Sequence, residues 1–164
     1  MPDFSANRDG VELKLDPDES RLLKQLTTEY ASLLRDERTG PVRDRLFPAA
    51  YDDAKDEAAY KDLIGESLEQ HKLEALEAVT KRLSKRGRTV VTITDDDFEA
   101  WLQCITDMRL AIGTRVGVDE ERMSEHVSPR DPDANALAII HWLAWLTEGL
   151  IEARATPQPG EAAR

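Results

Sequence analysis

The chain has 164 residues, of which 33 are acidic and 22 are basic, so its formal net charge at pH 7 is -11. Hydrophobic residues make up 40% of the chain and charged residues 34%, a balance typical of one soluble globular domain and not of a disordered or membrane-spanning chain. A single cysteine, Cys104, excludes an intramolecular disulfide and with it an exported disulfide scaffold. Because the N-terminus lacks the basic and apolar regions of a signal peptide, we expect a cytoplasmic protein.

The N-terminal segment predicts a β-hairpin followed by a helix. A cluster of turn residues precedes the alternating run Val11–Leu15, whose apolar side chains would share one face. Asp16, Pro17 and Glu19 then combine an N-cap, a proline at the first helical position and a capping-box acid, so a helix begins here. Its apolar residues recur at three- and four-residue steps until a Gly-Pro pair stops it.

The middle of the chain predicts a packed turn, two helices and a strand. The turn covers residues 43–51, and the helices cover residues 54–63 and 66–87, with Gly65 weakening the pattern between them. Basic residues lie in the last turns of the second of these helices, where cations favour the negative end of the helix dipole. Residues 89–94 are all branched at Cβ and predict a strand that joins the hairpin in a small sheet.

Two long helices complete the predicted fold. The first begins at three consecutive aspartates after the strand and ends at residues 113–117. The last runs from about Asp133 to Arg154, and residues 155–164 are expected to form a disordered tail. The prediction is a single, mainly α domain over residues 1–154, a bundle of about five helices with a minor β element made of the hairpin and the strand.

Motifs for common catalytic and binding sites are absent from the sequence. Since it has no GxSxG, GxxxxGK[ST], GxGxxG or HExxH motif and no Cys/His spacing suited to zinc, we expect a non-enzymatic protein without cofactor or metal. The clustered aspartates do not follow a calcium-loop pattern, and helix caps explain them. One basic patch lies at residues 81–88, but the net charge of -11 repels duplex DNA and argues against direct DNA binding.

Three side chains on the helix after residue 94 are candidates for roles beyond simple packing. Cys104 is the candidate redox residue, with Arg109 as the charge that would stabilise its thiolate; the alternative is a small buried core residue. Asp107 and Arg109 are expected to form an ion pair or to contact the chain at Tyr30 or Tyr51.

The last helix is apolar over more than one face. Of the 15 positions from Leu137 to Ile151, 11 are apolar, more than a single buried face holds. The helix is therefore either central in the fold or covered by a partner, which is a second copy of the chain or a foreign protein. The candidate interface residues are Trp142, Trp145 and Leu146.

Two segments resemble the signature of an actinobacterial family long classed as a domain of unknown function. Residues 100–118 read AWLQCITDMRLAIGTRVGV, similar to the family's AWL, a short spacer, TD and LRLALGTRLGV. Residues 45–51 read RLFPAAY, similar to its RLFPxAY motif. The resemblance implies family-motif or structural roles for Arg45, Phe47, Pro48, Tyr51, Trp101, Asp107, Arg109, Gly113 and Arg115.

The resemblance also implies a function, because the family includes a regulator of the oxidative-stress response that acts on transcription through an alternative sigma factor. Since this chain has only Cys104, a switch based on an internal disulfide is not carried over. The predicted function is a non-enzymatic regulator that contacts a sigma factor or RNA polymerase.

Two alternatives remain open. One is a small-ligand sensor or unrecognised enzyme, with a pocket lined by Trp101, Tyr51, Arg109 and Arg115. The other is an adaptor linked to the Clp protease system, implied by the gene neighbourhood of the resembling family.

Overall fold

The computed structural model describes residues 1–119, 121 and 128–156. This part of the chain forms three strands and five helices, mainly α with a minor β element, which confirms the predicted fold class. The elements in chain order are β1 (Asp3–Asn7), β2 (Gly10–Leu15), α1 (Pro17–Asp36), α2 (Pro41–Leu46), α3 (Ala54–Thr80), β3 (Thr89–Thr94), α4 (Asp95–Val116) and α5 (Ala134–Ala155). Most of the predicted tail, residues 157–164, lies outside the described residues.

The three strands form one antiparallel sheet in the order β1-β2-β3, so the predicted strand at 89–94 does join the hairpin. The buried face of β2 carries Val11, Leu13 and Leu15, and Val11 lies opposite Ile93 of β3. Gly10 has a φ of +152°, and a Cβ there would lie 2.0 Å from the carbonyl oxygen of Ile93. The tight pairing of β2 with β3 therefore requires glycine at this position.

The start of α1 follows the predicted capping box. The Asp16 carboxylate accepts hydrogen bonds from the backbone N–H groups of Asp18 and Glu19, and the Glu19 side chain accepts one from the Asp16 N–H, each at 2.9 Å. These bonds satisfy backbone donors that a helix N-terminus leaves unpaired. The turn predicted over residues 43–51 is in part helical, since α2 begins at Pro41 and ends at Leu46.

The prediction of two helices at 54–63 and 66–87 is wrong, because α3 is one continuous helix of 27 residues. A single glycine costs a helix only about 1 kcal/mol, which the packing of a helix this long offsets, so Gly65 does not break it. The helix also ends at Thr80, seven residues earlier than predicted. The basic residues 81–88 consequently lie in the turn before β3, and Arg82 donates a hydrogen bond to the carbonyl oxygen of Thr92 at 3.2 Å.

Helix α4 lies at the centre of the fold and contacts the four other described helices and β3. Its inward residues Trp101, Ile105 and Met108 are fully buried among side chains from all these elements. Because every neighbouring element packs on α4, substitutions along its buried face affect the whole domain.

One face of α5 packs on α4 and the other faces outward. Among the described residues, α5 is the one helix long and apolar enough to cross a membrane, a test that core helices of soluble proteins also pass. Leu146 is fully buried on the inner face, so its place among the candidate interface residues is wrong. The inner face consists of Leu137, Ile140, Leu143, Leu146, Leu150 and Ala153.

Strand β1 is held against α5 by an aromatic contact that requires a glycine. The Phe4 ring meets Trp145 edge to face, with ring centroids 5.7 Å apart. A Cβ on Gly149 would lie 2.3 Å from the Phe4 ring, closer than atoms can approach.

We expect Gly149→Ala to lower the free energy of unfolding by about 1–3 kcal/mol, because the added methyl forces the Phe4 ring out of its packed position. Urea denaturation of the purified chain measures this change. Gly65→Ala is the matched control, since a Cβ there meets only the Lys61 side chain at 4.0 Å, and it should stabilise α3 by about 0.5–1 kcal/mol. Equal effects of the two substitutions would show that the Phe4 contact does not constrain position 149.

Candidate functional site

Three helices meet at a buried ionic contact that we call the interior cluster: Tyr30 of α1, Lys72 of α3 and Asp107 of α4. Asp107 is only 6% exposed. Its Oδ2 accepts hydrogen bonds from the Tyr30 hydroxyl and from Lys72 Nζ, each at 2.8 Å. Tyr30 is one of the two tyrosines that the sequence suggested as a contact of Asp107. The cluster joins α1, α3 and α4 at one point.

The protonation of Tyr30 is fixed by its surroundings. Burial raises the pKa of the Tyr30 hydroxyl far above its usual range, and the Asp107 carboxylate raises it further. The hydroxyl therefore keeps its proton and acts as a hydrogen-bond donor at any pH that the fold tolerates. The cluster has the properties of a structural joint between three helices.

Cys104 lies one turn before Asp107 on α4 and is buried in the core. Burial raises the pKa of its thiol to about 12, and the Asp107 carboxylate adds to the shift. Arg109, the charge expected to stabilise a thiolate, lines a pocket on another side of α4. The thiol thus has neither the access nor the stabilised thiolate that a redox sensor requires.

The RLFPAAY segment is anchored to α3 through Phe47. Two cations lie over the Phe47 ring, with the Arg43 guanidinium 3.9 Å and Lys72 Nζ 5.5 Å from its centroid. Such contacts over an aromatic face are favourable by about 0.5–2 kcal/mol. Lys72 therefore belongs both to the interior cluster and to the anchor of this segment.

A groove of about 730 Å³ lies beside this anchor, and we call it the α3 groove. On its wall, Glu69 pairs with Arg38 at 2.6 Å and with Arg43 at 3.3 Å. The hydrogen bond from Arg38 lowers the pKa of Glu69, and the Arg43 guanidinium adds to the effect. Both arginines also donate to the carbonyl oxygen of Leu34 near the end of α1. These ion pairs fix the wall of the groove. Pro48 of the RLFPAAY segment also lines the groove.

The end of the RLFPAAY segment is exposed but held in place. Glu57 Oε2 accepts hydrogen bonds from the backbone N–H groups of Ala50 and Tyr51, at 2.8 and 2.9 Å. Tyr51 is 51% exposed and meets Tyr60 edge to face at 5.6 Å. The segment therefore presents an ordered aromatic surface beside the α3 groove.

Four residues expected to share one pocket are not brought together. Trp101 is fully buried in the core, and Tyr51 is exposed beside α3. Arg115 pairs with Glu37 at the end of α1. Arg109 lines a different pocket, formed with Arg45 between α2, α4 and α5, and the prediction of a Trp101/Tyr51/Arg109/Arg115 pocket is wrong.

The outer face of α5 presents apolar side chains at the surface of the domain. Trp142 and Trp145 are partly buried, and Ile151 is 49% exposed. Only 28% of the most apolar 18-residue window of α5 is buried, because the core covers one side of the helix. Gly113 of α4 lies under α5, where an added Cβ would lie 4.0 Å from the Ile140 side chain, an ordinary contact distance.

Sequence reasoning missed Lys72 and Glu69, which hold the interior cluster and the α3 groove. A signal for Lys72 existed, because it lies four residues after Leu68 and four before Leu76 on the apolar stripe of α3. A charged residue on such a stripe needs a buried partner. Among the described residues, no group of three or more His, Cys, Asp or Glu side chains is placed to hold a metal ion.

We expect Lys72→Met to destabilise the fold by about 3 kcal/mol, because it leaves the buried Asp107 carboxylate without its cation. Arg115→Met removes an ion pair of α4, the helix that carries Asp107, but this pair with Glu37 is about half exposed, so the expected loss is below about 1 kcal/mol. Urea denaturation of both variants gives the comparison. A loss for Lys72→Met as small as that for Arg115→Met would contradict a structural role of the cluster.

We expect Cys104 in the folded chain to resist alkylation, because a thiol pKa of about 12 reduces the thiolate fraction at pH 8 about a thousand-fold. Iodoacetamide labelling followed by mass spectrometry measures the rate, and the same chain unfolded in urea is the control. Native labelling as fast as that of the unfolded chain would contradict the burial of Cys104.

Comparison with known protein families identifies the family of this chain. A family model described as a domain of unknown function, DUF2017, matches residues 1–154, which includes the interior cluster, the α3 groove and the five described helices except the last residue of α5. No curated protein and no solved structure matches the chain.

Proposed function

The chain belongs to the DUF2017 family of domains of unknown function, and from this premise we propose that it is a regulatory protein that acts by contacting another protein. The observation that carries the proposal is the outer face of α5. Outside its buried positions, the helix carries the partly buried Trp142 and Trp145 and, on the flank opposite Trp142, the exposed side chain of Ile151. Exposed tryptophan is enriched at the centres of protein interfaces, and apolar patches on a charged surface mark contact sites.

RNA polymerase or an alternative sigma factor is the partner that we propose. The support is the resemblance of residues 45–51 and 100–118 to the actinobacterial family that includes an oxidative-stress regulator. Regulation of transcription under oxidative stress, in the cytoplasm, is the corresponding role. Because Cys104 is buried, the proposed contact does not depend on oxidation of this chain.

The outer face of α5 is suited to such a contact by its composition. From Ala134 to Thr147 the helix carries His141 but no Asp, Glu, Lys or Arg, so a partner covers this part without desolvating a lysine, arginine or carboxylate. Trp145 is held in place by Phe4, which limits the entropy lost when a partner binds. A second copy of the chain is the competing occupant of the face.

The test uses purified chain and immobilised RNA polymerase core and sigma factors from the source organism, measured by biolayer interferometry. We expect the wild type to bind one of them and the double variant Trp142→Gln/Ile151→Gln to bind at least about 30-fold more weakly, because the contact loses two apolar anchors. Leu63→Gln is the matched control, since Leu63 is 82% exposed on α3 and its removal should leave binding unchanged.

Two outcomes would contradict the proposal. One is the absence of binding to every polymerase component. The other is a concentration-dependent dimer, seen by light scattering, that Trp142→Gln/Ile151→Gln abolishes, because it would assign the outer face of α5 to a second copy of the chain.

A further inference from the structure

A second pocket, of about 220 Å³, lies between α2, α4 and α5, and we call it the arginine pocket. Arg45 of α2 and Arg109 of α4 line it, so two guanidinium groups reach one cavity from different helices. Leu110 and Ile140 supply an apolar wall, and within the part of the chain that the structure describes no acidic residue lines the pocket. The pocket is therefore a positively charged cavity in a chain whose net charge is -11.

The two arginines of the pocket differ from Arg38, Arg43 and Arg115 in having no ion-pair partner among the described residues. Arg38 and Arg43 share Glu69, and Arg115 pairs with Glu37. None of the ion pairs among the described residues includes Arg45 or Arg109. Two unpaired guanidinium groups at one cavity favour an anion there.

A buried donor at Arg109 points to the same conclusion. The Nε of Arg109 is shielded from solvent and has no hydrogen-bond acceptor among the described residues. A buried polar group without a partner is costly, and native structures seldom leave one unless a ligand, ion or water completes it. Thr114, on the same wall, donates its hydroxyl proton to the carbonyl oxygen of Leu110 at 2.8 Å and makes no hydrogen bond with Arg109 Nε.

We propose that the arginine pocket binds a phosphate group, either as inorganic phosphate or as part of a small phosphorylated metabolite. The planar fork of a guanidinium group matches phosphate oxygens, and two such forks match the charge of nearly -2 that a phosphomonoester carries at pH 7. Donors from α2 and α4 suit a tetrahedral anion, whose oxygens point in several directions. A volume of about 220 Å³ equals about seven water molecules, which fits a compact ligand with its apolar part against Leu110 and Ile140.

This inference goes beyond the proposed protein contact and is tested separately from it. Isothermal titration calorimetry of the full chain at constant ionic strength uses inorganic phosphate, glycerol 3-phosphate and succinate as probes. We expect one site for the phosphate probes, with affinity lowered about tenfold or more by Arg45→Gln and by Arg109→Gln. Arg21→Gln removes an exposed charge that pairs with Asp18 on α1 and is the matched control, with no expected change.

A second measurement covers the case in which Arg109→Gln does not fold. The ¹H–¹⁵N resonance of Arg109 Nε in the wild type should shift on titration with phosphate, because the proton gains an acceptor.

The relative affinities of the probes distinguish the two forms of the ligand. Tighter binding of glycerol 3-phosphate than of inorganic phosphate would show that the ligand is a phosphorylated metabolite, and the reverse would show that it is the free phosphate ion. The proposal would be overturned by equal binding of succinate, by binding that both pocket variants retain, or by no binding.

Discussion

The Asp107 carboxylate is the group on which the rest of the structure depends. It lies in the core on the central helix α4, where a carboxylate without partners would be prohibitively costly. The Tyr30 hydroxyl from α1 and the Lys72 ammonium from α3 both donate hydrogen bonds to this carboxylate. Apolar packing allows helices to slide by small amounts, but this contact has one geometry, so it sets how α1 and α3 lie on α4.

The effect of this contact extends to the surface. Lys72 also lies near the Phe47 ring, and Arg43 covers the same ring. Phe47 follows α2, so the interior cluster and the cation contacts together hold this short helix between α3 and α4. Arg43 then lies in the α3 groove and Arg45, two residues on, in the arginine pocket. The two charged cavities thus lie on either side of one anchored helix.

Local signals in the sequence predicted the local structure. The capping box at Asp16 and the β-branched run at residues 89–94 act over a few residues, and the structure follows both. The break expected at Gly65 is absent because the cost of one glycine is smaller than the packing energy of a long helix. The Lys72–Asp107 pair joins residues 35 positions apart, and the sequence of α3 alone contains nothing that identifies the partner. Likewise, α5 is apolar over more than one face, so the spacing of its apolar residues did not show that Leu146 is fully buried and lies away from the outer face of the helix.

Native-state hydrogen exchange of the wild type and of Tyr30→Phe tests the central claim most directly, because the substitution removes only the hydroxyl that bonds to Asp107. If the interior cluster joins the three helices, amides in the middle of α1, α3 and α4 will share one free energy of opening, and Tyr30→Phe will lower all three together by about 1–2 kcal/mol. A loss of protection confined to α1 would show that the helices are held independently and would contradict the account.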